Sequence, residues 1–318
     1  MFCISLDFEL YWGVRDSRGA EYFDTLKKVH EVIPPLIYLF NKYDIACTWA
    51  SVGALCAKDY TDFQVHIPTV YPSYTDSKYS PYSELEYLET LDGALLFAPH
   101  LVDLIHQSAQ QEFASHTFSH YYALEKGQTV EQFKADLLAC TDILRNKNIA
   151  LKSLVFPRNQ FNAEYLTVCK ELGYSCFRGN PEHWAYTAES REQRSIIKRA
   201  FRLIDSYIPL SGSLRQTINI DKSSGLVNVP ASLFLRPWSN RLVILEPLRL
   251  WRIKWSMTRT AKKGGVFHLW WHPHNFANNV ESNLLFLEEI LKHQKILSKQ
   301  YNFPSLTMNG IAEQCKIN

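Results

Sequence analysis

No two of the seven cysteines have C-x-x-C spacing, and their number is odd. That argues against a disulfide framework and against a cysteine zinc site. Cys3, Cys47 and Cys176 fall in apolar, strand-like runs and read as small core residues. No apolar run approaches the length that spans a membrane. Neither sign of charge is in excess: 34 Lys+Arg stand against 32 Asp+Glu, a net charge of +2. That balance gives no push toward nucleic acid or an acidic membrane surface. The basic run Ile197-Lys198-Arg199-Ala200-Phe201-Arg202 is short and mixed with apolar residues, and reads as a solvated helix edge. There is no P-loop, no G-x-G-x-x-G and no internal repeat, so a nucleotide-binding fold has no support. No signal peptide precedes the first candidate strand, which begins at Phe2, and the expected location is the cytoplasm.

What is present is a core-forming chain. Of 318 residues, 46% are hydrophobic and 21% charged. Disorder is not expected, and a single domain over 1–318 is. Phe2-Cys3-Ile4-Ser5-Leu6-Asp7 reads as a buried strand running into Phe8-Glu9. In extended chain Asp7 and Glu9 point to one side and Phe8 to the other. Two carboxylates on one face repel and are costly to bury. A cation or a shared proton relieves this, and so does a turn cap or an arginine partner. Further strand candidates are Ile45–Gly53, Leu151–Phe156, Gly173–Asn180, Leu226–Pro230 and Gly265–Trp271, with a last short one at Leu306–Met308. Helical periodicity covers Glu21–Tyr43, where Pro34-Pro35 kinks the helix or starts a second one. It also covers Phe97–Gln107, Thr129–Asn146, Ala163–Leu172 and Val280–Gln300, with Thr129 and Asn162 as N-caps. Residues 181–264 are the least legible; within them Glu189–Arg202 is charged and compatible with a helix.

Residues 57–96 change character, being rich in Tyr, Ser, Pro, Asp and Thr without a clear period. They read either as a long surface insertion, a lid or one wall of a substrate site, or as a disordered insertion. Tyrosines suit sugar recognition, because the ring stacks and the hydroxyl hydrogen-bonds.

Strands alternating with helices favour an α/β architecture with a parallel sheet. The polar groups gather where strands end: Asp7 and Glu9, His116 and His120, Arg158, Arg178, and His272 with His274. In a barrel of parallel strands that rim is where active sites are built. The stretch Ser115-His116-Thr117-Phe118-Ser119-His120 carries the sharpest signal. If it turns helically after a strand, its two histidines share a face and can hold one divalent cation.

In order along the chain, these stretches resemble the polysaccharide deacetylases, carbohydrate esterases of family four. Ser5-Leu6-Asp7-Phe8-Glu9 resembles the first motif of that family, usually Thr-Phe-Asp-Asp-Gly. Ser115–His120 matches the second, His-Ser/Thr-x-x-His. Phe156-Pro157-Arg158-Asn159-Gln160-Phe161 resembles the third, and Trp271-His272-Pro273-His274 the last. The flavour is that of the branch linked to surface polysaccharide and lipopolysaccharide biosynthesis. The resemblance implies a distorted (β/α) barrel of about seven parallel strands holding one divalent metal ion, usually zinc. It also implies hydrolysis of an N- or O-acetyl group on a sugar. Carried over, Asp7 is the catalytic base, His116 and His120 are metal ligands, Arg158 orients the base, and His272 is the general acid. His274 lies on the same strand face as His272, so either histidine can be the acid. Arg178, Asn180 and His274 are candidate substrate contacts. The second aspartate of the family falls on Phe8, which cannot bind a metal; Glu9 shares a face with Asp7 and can take its place as the third ligand. The middle motif has no clear counterpart, with Asp205 and the Arg178-Gly179-Asn180 turn as candidates.

The expected activity is therefore metal-dependent deacetylation of a nucleotide- or lipid-linked sugar. Two other classes compete with it. One is a carbohydrate-binding protein that has lost catalysis, kept alive by Phe8. The other is a hydrolase of a non-sugar amide on the same scaffold. A glycosidase built on Asp7 and Glu9 is weaker, because such carboxylate pairs come from separate elements flanking the bond.

Overall fold

A computed structural model describes residues 1–188, 190 and 195–317. Its centre is a curled, mostly parallel sheet of nine strands, ordered β6-β7-β5-β4-β3-β2-β1-β9-β8. In chain order these are β1 Phe2–Phe8, β2 Cys47–Ser51, β3 Gln111–Ser115, β4 Ser153–Leu154, β5 Cys176–Phe177, β6 Asn219–Ile220, β7 Val227–Asn228, β8 Leu233–Phe234 and β9 Phe267–Trp271. All neighbours pair in parallel except β6 with β7.

Every residue of β1 and β2 is buried. That is what a central parallel strand covered on both faces requires. The expected count of about seven strands becomes nine for two reasons. A short antiparallel strand, β6, joins one edge. The extended run from Val227 to Phe234 is also split in two around Pro230, which has no N–H to continue the ladder. This run hydrogen-bonds both ends of the sheet. Val227 and Val229 donate to Ser175, just before β5, and to Phe177 within it, while Ser232 and, one residue past the run, Leu235 donate to His268 and Trp270 in β9.

Register sets the level of the rim. Phe8 pairs with Ser51, Ser51 with Ser115, Ser115 with Leu154, Leu154 with Phe177, and Phe177 with Asn228. One residue past this row stand Glu9, His116 and Arg178. Parallel pairing thus gathers on one side what the sequence scatters over more than half its length.

The expected helix at Glu21–Tyr43 is divided at Lys28, into Phe23–Lys27 and Val29–Lys42, and not at the prolines. Pro34 is exposed and Pro35 half-buried, and the carbonyls of His30 and Glu31, which lose donors to them, lie on that outer side. The helix Val130–Leu144 carries a Thr129–Gln132 capping box, and Asn162 caps Ala163–Glu171. The illegible region contains the helices Ile196–Asp205 and Glu246–Lys263. Glu189 and residues 191–194 of the charged run lie outside the described residues. In place of a final strand at Leu306–Met308 there is a single bridge, Phe2 to Ser305, before the helix Met308–Ile317.

Residues 57–96 are packed, and the disordered alternative fails. They form short helices, Tyr60–His66, Leu85–Thr90 and Gly93–Leu96 among them. Tyr74 and Tyr79 are buried in a cluster with Tyr122, and Tyr71 stacks on Tyr82 at 4.4 Å.

Candidate active site

β1 delivers both carboxylates. Phe8 turns into the core, and Asp7 and Glu9 turn to the opposite side, where they line one cavity of about 440 Å³. The alternation expected of an extended strand therefore holds through its last residues. Gly13 is required beside them, since a Cβ there would stand 2.0 Å from the Glu9 carboxyl carbon.

His116 and His120 follow β3, but not on a helical turn. Thr117 and His120 adopt left-handed backbone, at φ 64 and φ 60, and the loop folds back on itself. It is held from below by Asp136 on the helix Val130–Leu144. Asp136 accepts the backbone N–H of Phe118 at 2.6 Å, the N–H of Ser119 at 3.2 Å, and the Ser119 hydroxyl. Burial pushes Asp136 up to about 6, against the pull of these donors. An aspartate in the middle of an amphipathic helix carries no mark in sequence of this duty, and sequence reasoning missed it.

The result is a compact donor set. Single ligand atoms of Glu9, His116 and His120 all lie within 4.8 Å of one another. Glu9 Oε2 is 3.6 Å from His116 Nε2 and 3.2 Å from His120 Nε2. His116 Nδ1 lies 2.8 Å from the Val155 carbonyl, to which it donates, so Nε2 keeps its lone pair toward Glu9. Burial lowers His120 to about 4, against the opposing pull of Glu9. Burial also acts to raise Glu9, but His272, His116 and His120 outweigh it and hold the carboxyl well below its ordinary value. One ionised carboxylate with two imidazoles is a set that suits a divalent cation, and these three residues fit the metal that the resemblance implies.

Asp7 is held by Arg178, not by Arg158. Arg178 is fully buried and grips both carboxylate oxygens, at 2.6 and 2.7 Å. Its guanidinium also donates to Asn159 Oδ1 and Ser5 Oγ and stacks on Trp270 at 4.4 Å. Burial acts to raise Asp7, but Arg178, with His116 and His272, outweighs it and leaves the carboxyl below its ordinary value. Arg158 takes left-handed backbone, φ 55, and turns to Asp16 and Glu125. It lies over the Tyr122 ring at 3.9 Å and the Tyr79 ring at 5.7 Å. The tyrosine-rich stretch thus buttresses Arg158; the cavity walls come from other segments of the described chain. Arg178 sits behind Asp7 and not on the cavity wall, so its expected place as a substrate contact is also corrected. Asn180 does line the cavity, with its amide donating to the Asn159 carbonyl at 3.1 Å.

His272 and His274 follow β9 and stack at 5.0 Å. His272 lines the cavity, with Nε2 3.8 Å from Asp7 Oδ2 and 3.7 Å from Glu9 Oε1. It does not lie across the site from Asp7. His274 is buried behind it, lowered to about 3 by burial and by the neighbouring His272. His268 is fully buried, and its Nε2 lies 2.8 Å from the Ser5 hydroxyl that accepts from Arg178. Asp205 is a structural clasp, bonded to Tyr186 and Ser211 and paired with Arg252.

With this geometry in place, comparison with known proteins gives a match over part of the chain. Residues 20–177 match the family model for polysaccharide deacetylase. That stretch contains the His116–His120 loop and Arg158 and ends with β5; β1 and β9 lie outside it. No curated protein sequence matches the chain. Solved structures share the fold. A Mycobacterium smegmatis protein assigned to the polysaccharide deacetylases aligns at TM-score 0.60 and 12% identity, over 99% of this chain and 90% of that one. A Pseudomonas aeruginosa PAO1 protein with the same assignment aligns at TM-score 0.62 and 9% identity, over 100% and 91%. PuuE allantoinase aligns at TM-score 0.59 and 9% identity, over 100% and 90%. At these identities the likeness is one of fold. The matched family model and the deacetylase fold together support a carbohydrate deacetylase. Among the described residues, no helix is long and apolar enough to cross a membrane.

Proposed function

We propose that the protein is a metal-dependent hydrolase. It removes an N-acetyl or O-acetyl group from a sugar, a nucleotide- or lipid-linked intermediate of surface polysaccharide biosynthesis, in the cytoplasm. The observation that carries this reading is the convergence of Glu9, His116 and His120 beside an Asp7 carboxylate clamped by Arg178. A divalent ion, zinc in the first instance, held by Glu9, His116 and His120 would supply Lewis-acid polarisation of the acetyl carbonyl and an acidified water. Asp7 stays ionised and aimed, and accepts the proton of the attacking water. His272, half-exposed on the cavity wall, donates a proton to the leaving nitrogen or oxygen. Its Nε2 is 3.8 Å from Asp7, so the proton taken up by the base has a short path to the acid. Trp270, whose ring already carries Arg178, lines the cavity and offers an aromatic surface to a sugar.

A second reading, hydrolysis of a non-sugar amide, rests on the fold shared with PuuE allantoinase. The deciding assay measures acetate released from N- and O-acetylated sugars, with allantoin consumption in parallel. Acetate release that stops with a chelator and returns with zinc is the expected result. Allantoin turnover without acetate release would move the function to the second reading. Sugar binding without turnover of either would leave a binding protein.

A further inference from the structure

Beside the Asp7–His272 cavity lies a second one of about 320 Å³, and the two share Asn159, Asn180, Tyr186, Arg202, Trp270 and His272. The far side of the second cavity adds Ser206 and Arg236; Arg199 borders the first. Arg202 and Arg236 therefore both line the space next to the hydrolytic centre, with Arg199 on the wall of the first cavity. Among the described residues none of them has a carboxylate partner. Arg202 spends one N–H on the Ala185 carbonyl at 3.0 Å and keeps the others. Asp205, the acid on the helix that carries Arg199 and Arg202, is turned to Tyr186, Ser211 and Arg252. Arg236 is half-buried, and burial together with the nearby Arg249 and Arg202 charges lowers it from its ordinary value. Like charges gathered in a poorly solvated pocket without a counter-ion are unfavourable. An anion with several acceptor oxygens relieves that cost, and guanidinium forks match a phosphate well.

We infer that Arg202 and Arg236, with Arg199 at the rim, form a phosphate subsite that takes the phosphate ester linking the reacting sugar to its carrier. This deepens the proposed function and rests on its sugar substrate. The same helix favours one carrier over another. Ile196 and Ile197 are 80% and 73% exposed, and Ile204 48%, so apolar surface flanks the arginines. A lipid phosphate uses both features, whereas a nucleotide uses only the charge.

The test compares binding of N-acetylglucosamine 1-phosphate, its uncharged methyl glycoside and inorganic phosphate by calorimetry. The proteins are the parent and its Arg202→Gln, Arg236→Gln and Arg236→Lys variants, checked for unchanged melting. The parent should prefer the phosphorylated sugar by about tenfold or more, and each Gln variant should erase that preference. Arg236→Lys should keep part of it. No preference in the parent, or equal losses on both sugars, would overturn the subsite. Phosphate binding that the Gln variants lose, with no response to either sugar, would uphold the subsite and overturn the sugar reading. For the carrier, a short-chain polyprenyl-phosphate-linked N-acetylglucosamine is set against UDP-N-acetylglucosamine. Tighter binding of the polyprenyl compound, weakened by Ile196→Ser, upholds the lipid; tighter binding of the UDP-sugar overturns it.

Discussion

Arg178 and Arg158 both follow strand ends, and the structure gives them different work. Arg178 forks both oxygens of Asp7 from full burial, while Arg158 braces the tyrosine cluster through Asp16 and Glu125. A lysine keeps the charge but loses the fork. Arg178→Lys should therefore lower kcat/KM by about 100-fold through misplacement of the base, and Arg158→Lys by no more than about tenfold. Steady-state kinetics on the acetylated sugar that releases acetate checks the order. The two arginines could not be told apart in sequence, because a motif spells residue types and not which of two neighbouring strand ends faces β1. His268 makes a second prediction at this scale. Burial and the Arg178 charge lower it to about 3, so the folded protein keeps it neutral where an unfolded chain takes up a proton. Its contribution to stability is complete above the unfolded value and is lost as pH falls from about 6.5 toward 3. Between pH 7 and pH 5 the parent should lose about 2 kcal/mol more in urea unfolding than His268→Gln, which has no such proton to take up. Equal losses would contradict it.

The element that matters most is the loop from β3 to His120. The spacing of its histidines was legible and its shape was not. Left-handed Thr117 and His120, and not a helical turn, bring the two rings together at 5.0 Å. The clasp is Asp136, whose three hydrogen bonds reach across from the helix Val130–Leu144. Asp136→Ala should loosen divalent-metal binding by about 10–100-fold, as loss of a group that orients ligands does. The helix that carries it has its own capping box and should keep its helical signal. Competition with a chromogenic chelator gives the affinity and circular dichroism the helix. Unchanged affinity would remove Asp136 from the metal site. The tyrosine-rich stretch was misread at this same scale. Its composition fits an exposed sugar wall, yet Tyr74 and Tyr79 face inward to Tyr122, a partner that no local pattern announces.

Across the whole molecule, long strands and helices with apolar periods were legible: β1, β2 and β9, the capped helices, and the α/β order that puts strand ends on one rim. Short strands were less so. β4, β5 and β7 fall inside the expected strands Leu151–Phe156, Gly173–Asn180 and Leu226–Pro230 but keep only two residues each, whereas β6 and β8, also two residues each, had no counterpart in sequence and exist because neighbours hold them in register. Residues 181–264 were obscure for the same reason, and the three arginines beside the site come from that region. The sheet nonetheless delivers Glu9, His116 and His120 to one point from two distant segments, and the functional account stands on that point. Bound divalent metal per chain, measured in protein purified without chelator beside Glu9→Ala and His120→Ala, tests it most directly. About one ion in the parent and little in either variant is the expected result. A parent that binds no ion even in excess zinc, or variants that bind it as well as the parent, would contradict it.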